Sequence, residues 1–201
     1  NTTTFIVNPA IDHSIFYPRS EIDDDLVEID PDKFTVLSFG KEVRWKGFPE
    51  ALESMSKLME KEENIQFIAY GKEKPSYDSP IDYDFVKFPS DNELAQLYSH
   101  VDTVISASWY ESFPLPPIEA MACGTPVVTT RYGTEDYADH ENNAMVVPPK
   151  EPEKMAEAIL ELKENEQLRD RISKNAQSTA KKYTWEKTVD KVEEIFRNPD
   201  R

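Results

Sequence analysis

The sequence predicts an α/β protein: a Rossmann-like, doubly wound parallel sheet of about six strands with helices on both faces. Three observations carry that expectation. Short apolar runs alternate with segments of helical period along most of the chain. The runs are apolar throughout rather than at every second residue, as strands covered on both faces must be. And 201 residues are enough for one core of this kind.

Residues 34–40, FTVLSFG, open the pattern as a β-branched run ending on glycine. A polar turn, KEVRWKG, leads to a helix whose apolar side carries Phe48, Leu52, Met55 and Leu58 or Met59. IQFIAYG at 65–71 and FVKF at 85–88 read as strands, and DNELAQLYSHV at 91–101 as a helix with Asp91 at its N-cap. TVISAS at 103–108 is the fourth strand. PPIEAMAC at 116–123 can start a helix, because proline fits the first turn, where a missing N–H costs nothing. TPVVTT at 125–130 and AMVV at 144–147 complete the sheet, and segments 151–164, 165–182 and 184–196 read as closing helices. The last has Trp185, Val189, Val192 and Phe196 on one side and is expected to pack on the domain. Residues 1–33 fit the alternation poorly. They read as a linker or interdomain segment with an acidic, solvated stretch at 21–32, and residues 34–201 as the folded domain.

The formal charge of −16 argues against nucleic acid as a partner, since phosphate contacts need a basic face. No apolar run is long enough to span a membrane, and the N-terminal residues lack the pattern of a secretory signal. The one cysteine, Cys123, sits in an apolar stretch and reads as a packing residue, compatible with a reducing compartment. The expected location is cytoplasmic, with peripheral association at the inner membrane face open to a longer protein.

In an open parallel sheet ligands bind beyond the C-terminal strand ends, which singles out two loops. GKEVRWKG at 40–47 places Gly40 at a strand end with Lys41, Arg44 and Lys46 around it, so that backbone and cations could receive a phosphate. The GxxxxGK[ST] and GxGxxG patterns are absent. SWYESFPLPPIEAMACGTPVV at 108–128 holds Glu111 and Glu119 with seven residues between them across a proline-bearing loop. Glu119 is expected in the first helical turn, where the dipole favours its ionised form and a carboxylate can accept from two neighbouring hydroxyls, as in a ribose diol.

This block resembles the E-x7-E signature of the retaining glycosyltransferases of family 4, which have the GT-B fold of two Rossmann-like domains. It follows the family pattern through Ser108, Glu111, Phe113, Leu115, Glu119, Ala120, Met121, Ala122, Cys123, Gly124, Pro126, Val127 and Val128. The loop at 40–47 is similar to the family's phosphate clamp, and 146–159 to its stretch after the last strand. The likeness covers about residues 34–197, the C-terminal half of such an enzyme. It implies that the chain binds a nucleoside-diphosphate sugar and transfers the glycosyl group, with retention, to an acceptor held by a separate N-terminal domain. That acceptor would be a glycan, a lipid-linked molecule or a small molecule.

Carried over by residue, the resemblance implies that Gly40, Lys41 and Lys46 hold the donor diphosphate, Lys46 stabilising the leaving group. Glu119 would bind the ribose, Glu111 would lie near the donor sugar, and the backbone at Phe113, Pro114 and Leu115 would line the sugar pocket. No metal or other cofactor is implied, and the isolated chain is expected to be inactive in transfer. Three features depart from the family. Lys41 replaces an arginine, and Ser112 and Pro114 replace two glycines. In the loop 132–143, His140 and Asn143 stand at glycine positions, Asn143 being the milder change because asparagine tolerates the left-handed conformation.

Other readings have less support in the residues. Asp82-Tyr83-Asp84 matches the D-x-D of the metal-dependent glycosyltransferase fold, and Asp23, Asp24 and Asp25 also offer carboxylates, but both segments read as solvated loops. His13, His100 and His140 have no zinc-ligand spacing. Trp45, Trp109 and Trp185 are expected to be partly core-packed, and Phe88 to border a nucleobase. A sugar phosphorylase, a nucleotide-sugar epimerase and a non-catalytic nucleotide-binding module are the alternative functions.

Overall fold

A computed structural model describes residues 4–23 and 25–198. Six strands, β1 (Phe34–Phe39), β2 (Ile65–Gly71), β3 (Asp84–Lys87), β4 (Thr103–Ser106), β5 (Val127–Thr130) and β6 (Met145–Val147), form one sheet. Its order is β3-β2-β1-β4-β5-β6 and every pairing is parallel. The connection reverses direction between β1 and β4. That switch point leaves a crevice beyond the strand C-termini, where the loops from both strands diverge.

Because side chains alternate across a strand, each one feeds two cores. Val36, Phe67, Ile105 and Val128 face α1 (Phe48–Met59) and α4 (Pro152–Glu164). Their neighbours Leu37, Ile68, Val104 and Val127 face α2 (Asp91–His100) and α3 (Leu115–Ala122). Helix α5 (Glu166–Ala180) serves both, giving Leu168 and Ile172 to the first core and Ala176 and Ala180 to the second. Ala10, Ile11 and Phe16, ahead of the sheet, are also buried, and the Ile11 N–H donates to the Tyr183 carbonyl at 3.1 Å. In the acidic stretch, Ile22, Leu26, Val27 and Ile29 lie partly buried against the second core, and Asp24 lies outside the described residues.

Three expectations about elements need correction. Ser90, not Asp91, caps α2: its hydroxyl accepts from the Glu93 N–H at 3.3 Å while Glu93 accepts from the Ser90 N–H at 2.6 Å, satisfying two donors reciprocally. Helix α3 begins at Leu115, so Glu119 is its fifth residue and lies beyond the first turn. Helix α6 (Trp185–Arg197) buries none of its residues, and Trp185, Val189 and Phe196 are 57%, 49% and 82% exposed.

Candidate functional site

The exits of β1 and β2 come close together. The Gly40 N–H donates to the Tyr70 carbonyl at 2.8 Å, and a Cβ on Gly71 would lie 2.3 Å from the Gly40 carbonyl oxygen, so only glycine fits at 71. Beyond them opens a cavity of about 470 Å³ whose wall includes Gly40, Lys41, Tyr70, Lys72, Lys74 and Phe88. Three lysines therefore converge in a chain of net charge −16. Of the two carboxylates on the same wall, Glu42 accepts from the Ser76 hydroxyl at 2.6 Å. Phe88 is 70% exposed on the rim and has a φ of 54°, a conformation that bulky residues hold only where the surroundings impose it.

A second, narrow pocket adjoins the cavity through Phe39, which lines both. Its cation comes from a 3-10 turn, Arg44–Lys46, that ends on Gly47 in the left-handed conformation, φ 70°. A Cβ there would lie 1.9 Å from the Ala107 carbonyl oxygen, so glycine is what lets this turn seat against the segment leaving β4. The Trp109 N–H donates to the Trp45 carbonyl at 2.8 Å and ties the two together. Lys46 Nζ then stands 2.5 Å from Glu111 Oε1, with side chains 25% and 16% exposed, and the Ser108 hydroxyl donates to the same oxygen at 2.9 Å. From the other side, Glu111 donates its N–H to the Tyr132 carbonyl, and Gly133, φ 91°, closes to where a Cβ would be 2.4 Å from the Glu111 carbonyl.

Arg44 does not join the cations. Its Nη1 bonds both oxygens of Glu50, at 2.8 and 2.9 Å, and its guanidinium lies 4.4 Å from the Trp109 ring centroid. Gly40 and Lys41 meet on the cavity wall, and Lys46, Glu111 and Pro114 meet in the pocket. The Phe113 ring packs on Tyr137 and Tyr183, at 5.1 and 5.6 Å, which leaves only its backbone available to a ligand. Leu115 is 39% exposed at the start of α3, and the Pro114 carbonyl accepts from the Tyr137 hydroxyl.

Glu119 stands apart from both linings, connected to the cavity wall through two phenols. The Tyr98 hydroxyl donates to its Oε2 at 3.5 Å and lies 2.7 Å from the hydroxyl of Tyr70. Burial, and after it the charge of Asp91, push the Glu119 carboxyl up to about 7. This overturns the expectation that the helix start favours its ionised form: at the fifth position desolvation outweighs the dipole, whose effect fades within the first turn.

Sequence reasoning missed Tyr70, Tyr98, Lys72 and Lys74. The lysines repeat the glycine-then-lysine exit of 40–41 at 71–72 and were detectable; nothing marks the tyrosines as other than core. Trp45 and Trp185 are not core residues. Trp45 is 45% exposed and stacks on Tyr110 with planes 15° apart, while Trp109 is half-buried. Positive φ in the 132–143 loop falls at Gly133, φ 91°, and Glu141, φ 57°, and not at His140 or Asn143. Asn143 is buried and bridges Asp139, Tyr137 and Thr179 instead. Cys123 is buried, its thiol pushed up to about 12 chiefly by desolvation. Asp84 accepts from the Gln66 amide at 3.0 Å. Among the described residues no group of three His, Cys, Asp or Glu is placed to hold a metal ion, and no helix is long and apolar enough to cross a membrane.

A family model described as glycosyl transferases group 1 matches residues 20–179. An uncharacterized glycosyltransferase of Methanocaldococcus jannaschii is 26% identical over 207 residues, covering 98% of this chain and 52% of that protein. The chain thus spans about half the length, or less, of the curated relatives it matches first. Among solved structures, a sucrose-phosphate synthase from Thermosynechococcus elongatus superposes with a TM-score of 0.82 at 24% identity, over 96% of this chain and 51% of that one. HepE of Anabaena, in complex with UDP-glucose, superposes with a TM-score of 0.78 at 19% identity, over 96% of this chain and 57% of the other.

Proposed function

Since the chain belongs to the glycosyl transferases group 1 family, we propose that residues 34–201 are the donor-binding domain of a retaining, family 4 enzyme. It would take a nucleoside-diphosphate sugar and pass the glycosyl group to an acceptor held by an N-terminal domain that residues 1–33 lead in from. The reading puts the enzyme in the cytoplasm, in keeping with its one buried cysteine.

The observation that carries this reading is the Lys46–Glu111 pair, half-sequestered in a pocket that opens beside the lysine-lined cavity at the switch point of the sheet. The bound UDP-glucose of a structural neighbour is in keeping with it. Breaking a bond between sugar and diphosphate builds negative charge on the departing oxygen and positive charge on the sugar ring. A partly desolvated ammonium answers the first and a carboxylate the second, and both act most strongly where charge is largest, in the transition state. Glu111 and Lys46 neutralise each other in their ion pair. With donor bound, Lys46 turns to the diphosphate together with Lys41 and the backbone at Gly40, and Glu111 is left facing the sugar, bordered by the backbone of Phe113, Pro114 and Leu115. Glu119 accepts from the ribose hydroxyls. The charge is supplied by side chains, so the reaction needs no metal.

In a full-length enzyme, Lys46→Ala should lower kcat by roughly 100- to 1,000-fold, the usual cost of removing one preorganised donor to a developing anion, with a smaller change in donor KM. NMR of the product should show the donor's anomeric configuration kept. Inverted product, or an unchanged kcat in a folded variant, would remove the retaining mechanism or Lys46's part in it.

A further inference from the structure

The path from the cavity wall to Glu119 runs through two buried phenols. Tyr98 is fully buried on α2 and Tyr70 is 4% exposed at the end of β2. Their rings meet edge to face, 6.1 Å apart at 86°, and their hydroxyls are 2.7 Å apart. A phenol has one proton to give. If Tyr98 gives its proton to Glu119, the proton between the two tyrosines must come from Tyr70, so the chain has a fixed direction, Tyr70 to Tyr98 to Glu119. Among the described residues Tyr98 is the only hydrogen-bond partner of the Glu119 carboxylate. Deep burial of two hydroxyls is unfavourable unless both are bonded, and here each satisfies the other while the chain ends on a carboxylate.

We propose that Tyr98, polarised by Tyr70, is the positioning residue that anchors the Glu119 carboxylate and sets its affinity for a proton. The ribose role of Glu119 is the one proposed above; the hold on the carboxylate is independent of it. Bonding to the charged form favours that form, so the chain opposes the desolvation that pushes the carboxyl up to about 7. The groups that face Glu119 are Asp91 and Tyr98 from α2, Tyr70 from β2 through Tyr98, Cys123 from its own helix and Tyr137 from the loop after β5. Helix α5, packed along α3, brings Ala176 and Ala180 to the same core. When Glu119 takes up a proton it becomes a donor, the direction can reverse, and the carboxyl no longer offers two acceptors to a diol.

The test reads Glu119 directly. The carboxyl carbons of the 201-residue chain, labelled with ¹³C at glutamate side chains and assigned with Glu119→Gln, are titrated by NMR in wild type, Tyr98→Phe and Tyr70→Phe. Each phenylalanine keeps the ring packing and removes one hydroxyl. The Glu119 midpoint should rise by about half a pH unit or more in Tyr98→Phe, and by less in Tyr70→Phe. Phe16→Leu, which disturbs the ring packed 6.2 Å from Tyr98 but no hydroxyl, should leave the midpoint in place. An unmoved midpoint in both tyrosine variants, or an equal shift in Phe16→Leu, overturns the proposal. If Tyr98→Phe does not fold, Tyr70→Phe against Phe16→Leu decides alone. Calorimetry with UDP, GDP, ADP and dTDP separates the two readings: if none binds the wild type, the nucleotide site fails, and the NMR midpoints still decide the part played by Tyr98.

Discussion

At Glu119 burial and the proposed ribose role pull against each other. Its carboxyl titrates near 7 in the folded chain against 4.5 unperturbed, so between those values the folded state keeps a proton that the unfolded state releases. Raising the pH through this window therefore lowers stability, by up to about 3 kcal/mol at its upper end. Glu119→Gln should accordingly be more resistant to urea than wild type at pH 8, with the difference nearly gone at pH 4, below the unfolded value; a difference that ignores pH would show that desolvation of this carboxylate is not felt. The same group must be ionised to accept from two hydroxyls. Glu119→Ala should weaken nucleoside diphosphate binding by ~1–3 kcal/mol at pH 8, with a smaller penalty near pH 6, where the wild type has already lost much of its carboxylate. Isothermal calorimetry at the two pH values checks both the size and the sign.

At the scale of elements, the 3-10 turn and its terminal glycine seat Lys46 against the segment leaving β4. Gly47→Ala puts a methyl group into the Ala107 carbonyl and forces an L side chain to φ 70°, so it should cost on the order of 2–4 kcal/mol in chemical denaturation and loosen Lys46 from Glu111. A folded variant with wild-type stability would mean that the turn can be re-seated elsewhere. The strands were legible in the sequence because runs such as FTVLSF and IQFIAYG are apolar on both faces, which only a doubly covered sheet demands. Boundaries were less so: Ser90 and Asp91 are both good caps, and only the reciprocal bond with Glu93 decides between them. The kind of residue likewise does not give its direction. Arg44 and Lys46 are two positions apart, yet one lies across Trp109 to reach Glu50 and the other points at Glu111. Tyr98 and Tyr70 looked like core because, by burial, they are core; their hydroxyls matter only through partners far away in sequence. Helix α6 was read correctly as amphipathic, but a hydrophobic side announces a need for a partner and not which one.

For the whole molecule, the two cores on either side of the sheet account for a chain that folds around its own site, with both linings within residues 38–116. Holding an acceptor against the donor in a water-poor cleft can be worth ~7–11 kcal/mol of barrier, and the proposed function assigns that second wall to a separate N-terminal domain. The 201-residue chain should thus bind donor yet give at most slow hydrolysis, and acceptor-dependent transfer by the chain alone at full-length rates would contradict the division of labour. The proposed donor chemistry is narrower: Lys41 and Lys46, without a metal, would receive a nucleoside-diphosphate sugar. Calorimetric titration of this chain in EDTA with UDP-, GDP-, ADP- and dTDP-sugars tests it most directly. At least one donor should bind at a single site, with binding lost in the Lys41→Ala, Lys46→Ala double variant. Binding of none of them, or binding that appears only when manganese is added, would contradict it.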